Sequence, residues 1–155
     1  MTRADASFEL ALPDDIQRVL PFIKSYYSFD GISFHSARLT TALDALLRDP
    51  SRGRVWIIRF DSKDIGYAVL TFGYDLEFGG PQATLTELYI LPAYRRRGVG
   101  MRTIQFVEGT CRELGIAALE LQVERDNIQA QSFYRKLQFE VHDRIPMSKK
   151  LKQND

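Results

Sequence analysis

Three arginines, Arg95, Arg96 and Arg97, stand directly before Gly98-Val99-Gly100, between an apolar run, ELYILP at residues 87–92, and a helical pattern that opens near Gly98. A helix that starts straight after a strand presents unpaired backbone N–H groups and a partial positive charge. Glycine lets a ligand approach the main chain, because no Cβ intervenes. Guanidinium groups add donors shaped for phosphate oxygens. Together these features describe an anion site suited to a phosphate or pyrophosphate. The segment lacks the lysine and Ser/Thr of a P-loop, and Thr103 stands where a three-glycine dinucleotide fingerprint needs its last glycine. A plain glycine turn with solvated arginines is the alternative reading. Eight residues upstream of Arg95, Glu87 places a carboxylate in the apolar strand. Burying an unpaired carboxylate is costly and would raise its pKa, which suits a proton acceptor near neutral pH. A structural salt bridge or a hydrogen-bonded carboxylate is the alternative.

The elements that must position these groups follow from periodicity and punctuation. SFELALP (7–13) alternates like a strand. PDDIQRVLPFIKSYYSF (13–29) reads as a helix with Pro13 and two acids at its start and a kink or restart at Pro21. GISFHS is loop, and SARLTTALDALLRDP (36–50) is a helix with Ser36 as N-cap. GRVWIIRF and DIGYAVLTFGYDLEF are strands of a hairpin joined by DSKD. GGPQ is a turn and ATLTELYIL (83–91) a strand, in which alternation sets Glu87, Tyr89 and Leu91 on one face and Leu88 and Ile90 on the other. A helix from Gly98 to Leu114 ends at Gly115 as cap. IAALELQVE is a strand, NIQAQSFYRKLQ (127–138) a helix capped by Asn127, and FEVHDRIPMSKKL one or two last strands. The order gives an α/β class: one domain over 1–155, with a mixed central sheet of six to seven strands flanked by four helices. The strand-helix-strand over 84–123 implies a parallel crossover.

Composition excludes several classes. The 155 residues are 45% hydrophobic and 26% charged with formal net charge +1, as in a soluble globular protein, with no overall pull toward nucleic acid or membrane. One cysteine excludes an internal disulfide framework, and no apolar run approaches the roughly 18 residues a bilayer span needs. The N-terminal residues lack a signal-peptide core, so the expected compartment is the cytoplasm. His35 and His142 have no ligand-like spacing, so no metal site is expected. Cys111 and Trp56 read as core.

Two separated motifs carry a resemblance. RRRGVG fits the pattern Gln or Arg, two residues, Gly, one residue, Gly or Ala, with Arg95, Gly98 and Gly100 at the defined places. ERDNIQAQSFYRKLQF follows at 124–139. The pair resembles the GCN5-related N-acetyltransferase (GNAT) superfamily, in order over residues 55–140 and most specifically over 84–139. The resemblance implies acetyl-CoA as acetyl donor and a division into acceptor-side helices (13–50) and an acetyl-CoA-binding core (54–140). Arg95, Arg96, Arg97, Gly98, Val99, Gly100 and Met101 would hold the pyrophosphate. The strand residues Leu88, Tyr89 and Ile90 would bind thioester and pantetheine through their main chain, with Asn127, Ala130 and Phe133 along the same chain. Glu87 matches the family's proton acceptor for the amine. Tyr134 matches the tyrosine that protonates the departing thiolate. The family commonly has Gly where this chain has Gln138, which puts the geometry of that helix end in question.

On the acceptor side the resemblance points to the ends of the first helices and nearby strands. Tyr26, Tyr27, Phe29, Phe34 and Tyr74 could form an aromatic wall, and Asp30, Asp75 and Glu77 could draw a cation. The expected partner is a small cationic amine, with no nucleic acid and no membrane, and with the GYDLEFGG hairpin as a candidate homodimer contact. A peptide or protein amine, or a CoA-binding regulatory module without chemistry, are the alternatives. The arginines of 92–112 as a nucleic-acid patch form a fourth, for which the glycines have no use.

Overall fold

The run GRVWIIRF buries almost every side chain, as does IGYAVL after the next turn, so both belong in the middle of a sheet covered on two faces. The computed structural model describes residues 5–152 and bears this out. The elements are β1 (Ala6–Leu10), α1 (Ile16–Asp30), α2 (Ser36–Arg48), β2 (Gly53–Phe60), β3 (Lys63–Asp75), β4 (Gly80–Ile90), α3 (Val99–Glu113), β5 (Ala118–Leu121) and α4 (Ile128–Lys136), with single 3-10 turns at Pro13–Asp15 and Pro92–Tyr94. The five strands lie in sequence order, antiparallel from β1 to β4 and parallel between β4 and β5.

Two apolar layers sandwich this sheet. On one face Val19, Leu20 and Ile23 of α1 and Leu43 of α2 pack on Val55, Ile57, Tyr67, Val69 and Tyr89. On the other, Val99 at the start of α3 packs with Ile58, Phe60, Ile65, Leu88 and Ile90. Phe106 of α3 stacks on Phe8 at 4.6 Å and meets Trp56 edge-on at 5.3 Å. Trp56 and Cys111 are core, as their patterns predict.

Several boundaries differ from the sequence reading. Pro21 sits inside an unbroken α1, on its exposed side, where the bond its missing N–H forfeits is tolerated. Ser36 is already helical and His35 holds the N-cap place, without a capping side-chain bond. β4 begins at Gly80, so the turn falls on Leu76–Gly79 rather than GGPQ. β5 covers four residues only, and 139–152 contain no strand. The expected six to seven strands are therefore five among the described residues. Pro146 can donate no ladder bond, and Asp143 stands at an apolar place in the alternation of that tail.

The chain divides into two compact units, residues 1–122 with the whole sheet and α1 to α3, and 123–155 with α4. In the second unit α4 is capped at one end by Asn127, whose side chain accepts from Ala130 N–H at 3.0 Å. At the other end Gln138 takes a left-handed conformation, φ 70°, while Phe139 N–H reaches back to Tyr134 O. Glutamine thus serves where a glycine would be unstrained.

Candidate active site

A bulge aims Glu87. Leu70 pairs with Leu85, yet the next residue back, Val69, pairs with Glu87, so Thr86 has no partner on β3. Strict alternation would put Glu87 on the same face as Leu85. The extra residue turns it to the opposite face, toward α1. There two hydroxyls meet it: Tyr67 donates to Oε1 at 2.6 Å and Tyr27 to Oε2 at 3.0 Å. Tyr67 is 0% exposed and comes from β3. Tyr27 comes from α1 and Tyr26 beside it packs on Tyr89. Burial first and the Glu87 charge second push both the Tyr67 and Tyr27 phenols well above their ordinary pKa. Both therefore stay protonated and remain donors. The carboxylate is half-buried and doubly hydrogen-bonded, the alternative named from the sequence, and this answers how an apolar strand tolerates it.

The same strand leaves its other edge open. β5 pairs with β4 only over Gln82–Leu85. Leu91 N–H bonds Ile65 O at 2.8 Å. In an antiparallel ladder this fixes Leu91, Tyr89 and Glu87 as the residues that exchange bonds with β3, so the N–H and C=O of Leu88 and Ile90 point the other way. Those are the main-chain groups expected to carry a thioester and pantetheine; of them the Ile90 C=O already accepts from Arg95 Nε, and the other three have no strand partner. Among the described residues no strand pairs with that edge of β4 beyond Leu85.

Past the end of β4 the chain enters α3 through Arg96 at φ 62° and Gly98 at φ 79°. No side chain caps the first turn of α3, so its early N–H groups are open donors. The arginines are not equivalent. Arg95 donates Nε–H to Ile90 O at 2.8 Å and lies over Tyr89 and Phe29, 5.4 and 5.8 Å from their ring centres. Arg97 lies over Tyr94 and Phe60. Arg96 is exposed. The side chain of Arg95 therefore faces α1, away from the expected phosphate role, while its backbone stays in the loop.

The acceptor-side residues are brought together only in part. Tyr26, Tyr27 and Phe29 share α1 beside Glu87 and Tyr89, and Phe34 packs against the same core. Tyr74 does not join them. It alternates with Leu70 and Phe72, on the other face from Val69, and is 72% exposed near the hairpin tip. Five residues separate it from Val69, roughly 17 Å along the strand. Asp75 accepts the Glu77 N–H at 2.8 Å and so shapes the turn. Asp30 stands one helical turn from Tyr26, whose phenol pKa rises through burial first and then through that carboxylate. Next to Tyr89, Lys24, Ser28 and Phe29 of α1 face Pro92 and Arg95 across an open hollow of about 520 Å³.

Sequence reasoning missed Tyr67 and Lys24. A signal for Tyr67 existed: a phenol inside an apolar strand must find an acceptor, and the adjacent strand holds a single carboxylate. In the second unit Tyr134 lies between Phe133 and Phe139, edge-on to each, and burial raises its phenol pKa.

Comparison with known proteins settles the family. The model described as the Acetyltransferase (GNAT) family matches residues 20–139. The chain belongs to this family. The match runs from α1 past Gln138 and takes in Glu87, the arginine–glycine loop and Tyr134, so this GNAT member is an acyltransferase. An uncharacterized N-acetyltransferase of Mycobacterium bovis is 33% identical over 111 residues, covering 71% of this chain and 67% of that one. An integron cassette protein from a salt-marsh mobile metagenome has the same fold with a TM-score of 0.83 and 26% identity, over 95% of this chain and 91% of its own. An aminoglycoside N-acetyltransferase crystallised with CoA superposes with a TM-score of 0.82 at 18% identity, over 97% of this chain and 99% of its own, a likeness of fold.

Proposed function

We propose that the protein transfers an acetyl group from acetyl-CoA directly to the primary amine of a small molecule, with Glu87 as the proton acceptor. The observation that carries the reading is the bulge at Thr86, which sets one carboxylate on the α1 side of a strand whose open edge bears the Leu88 and Ile90 main chain. The residues present fit the donor. The uncapped first turn of α3 with Gly98 at φ 79° suits a pyrophosphate, and the free edge of β4 suits an extended amide chain. Acetyl-CoA supplies the activated acyl carbon and a thiolate leaving group.

The chain's own groups then divide the work. Leu88 N–H polarises the carbonyl oxygen from the open edge. Glu87, fixed by Tyr27 and Tyr67, takes the proton of the attacking amine, directly or through water. Tyr134 returns a proton to the thiolate, a role that rests on its place in SFYRKLQF. Holding both reactants in line is the remaining contribution. A cationic acceptor would draw on Asp30 at the end of α1, while Asp75 and Glu77 belong to the hairpin turn at the far end of the β3–β4 pair from Glu87. The hairpin tip with Tyr74 and Leu76 72% and 87% exposed is a candidate contact for a second copy.

The test is CoA release from acetyl-CoA against polyamines, amino acids, aminoglycosides and short peptides. Turnover on one amine class, falling about tenfold or more in Glu87→Gln and in Tyr134→Phe, is the expected result. Tight acetyl-CoA binding with no turnover on any amine would sink the reading in favour of a regulatory module.

A further inference from the structure

The hollow beside Tyr89 carries two cations, Lys24 and Arg95. Among the described residues no carboxylate lies within ion-pair distance of Lys24 or Arg95. Arg95 is also pre-set. Its Nε is committed to Ile90 O, and Tyr89 and Phe29 hold the guanidinium plane, so its terminal nitrogens are fixed donors. Lys24 and Ser28 line the same hollow from α1, the Lys24 ammonium resting 6.0 Å from the Phe34 ring centre, and no acid lines it. Such a fork with a second cation and a hydroxyl is suited to a carboxylate, phosphonate or phosphate. Position gives this meaning. Tyr89 follows Glu87 by two residues on the same strand face, roughly 7 Å along the strand.

We propose that this hollow is the anion subsite of the acceptor, so that the substrate carries a primary amine at one end and an anionic oxyacid group at the other. The inference rests on the acetyl-transfer reading and narrows its substrate class. An amine presented to Glu87 would place the acid roughly two residue lengths away, against Arg95 and Lys24. Small amino acids with a terminal side-chain amine have this form; simple polyamines do not.

Matched pairs test it: δ-aminovalerate against pentylamine, lysine against cadaverine, and aminobutylphosphonate against butylamine. The expected result is kcat/KM at least about tenfold higher for the acid of a pair, with the ratio falling toward one in Lys24→Gln and recovering in Lys24→Arg. The carboxylate and phosphonate arms show which oxyacid is preferred. Turnover of the plain amines as good as that of their acids overturns the subsite and leaves acetyl transfer standing. If no amine turns over, calorimetry of δ-aminovalerate with the CoA-loaded protein decides. Binding that Lys24→Gln abolishes supports the subsite, and no binding overturns it.

Discussion

Tyr67 and Glu87 are joined across neighbouring strands by a 2.6 Å hydrogen bond from a phenol with no solvent exposure. The donor cannot turn to water, so the carboxylate is held in one place. Tyr67→Phe removes the hydroxyl but keeps the ring that packs with Val69 and Tyr89. Glu87 then keeps only the 3.0 Å bond from Tyr27. The expected outcome is a kcat loss of about tenfold with little change in acetyl-CoA KM, and a stability loss of about 1 kcal/mol. Steady-state kinetics and urea unfolding on the same preparation separate the two. Unchanged kcat would show that Glu87 is not held for chemistry.

The bulge makes a second, sharper demand. Deleting Thr86 makes Leu85 and Glu87 neighbours and closes the bulge, so Glu87 stays opposite Val69 on the α1 face and only the kink and extra twist at that point are lost. Activity should fall by about tenfold, less far than in Glu87→Gln, because the carboxylate keeps its face but loses its aim, while far-UV circular dichroism still reports the mixed fold. A deletion variant with near-native turnover would show that the bulge is not needed to aim Glu87.

Much of this was legible in the residues, for reasons that differ by element. DSKD reads as a tight turn, and Asp61 and Ser62 do take positive φ at the hairpin. Gly115 reads as a helix stop, and it ends α3 at φ 70°. Alternation from Glu87 onward is local, so the faces of Tyr89 and Leu88 could be assigned. The partners of Glu87 could not, because Tyr27 and Tyr67 lie 60 and 20 residues away and meet it only through sheet register and α1 packing. Tyr74 misled for the same reason: its place on the opposite face follows from counting back to Val69, which nothing in GYDLEFGG reveals. The tail 139–152 shows the limit of alternation where Pro146 and Asp143 interrupt it.

Gly98 tests the phosphate loop. At φ 79° its Cβ would meet nothing within 4 Å, so Gly98→Ala brings conformational strain without a clash. A left-handed alanine costs about 1 to 2 kcal/mol, which the loop relieves by shifting the first N–H groups of α3. The expected result is weaker acetyl-CoA binding by about tenfold in calorimetry, with kcat at saturating donor less affected. Equal affinity would mean that the loop does not bind the donor through its backbone.

Gln138 gives the converse. It holds the left-handed place after α4 at φ 70°. Gln138→Gly relieves that strain, less the entropy a glycine adds to the unfolded chain, for a net gain of about 0.5 to 1 kcal/mol. The thermal midpoint should rise by a few degrees. A fall would show that the glutamine side chain makes a stabilising contact of its own.

Acid stability should depend on Asp64. Arg18 of α1 bonds both its oxygens, at 3.0 and 3.1 Å, and Arg59 joins at 3.1 Å. The hydrogen bond from Arg18 is the main reason its pKa lies below the ordinary aspartate value. A carboxyl whose pKa is lower folded than unfolded favours the folded state above the unfolded pKa, and loses that contribution as pH falls through the folded one. Asp64→Asn should therefore cost about 1 kcal/mol at neutral pH, a modest figure because the pair is partly exposed to solvent. The cost should shrink toward zero as the wild-type carboxyl becomes protonated below the ordinary aspartate range. Urea unfolding of both proteins from neutral pH down to about pH 3 gives the curve. Parallel curves across that range would remove Asp64 as the acid-sensitive link between α1 and the β2–β3 hairpin.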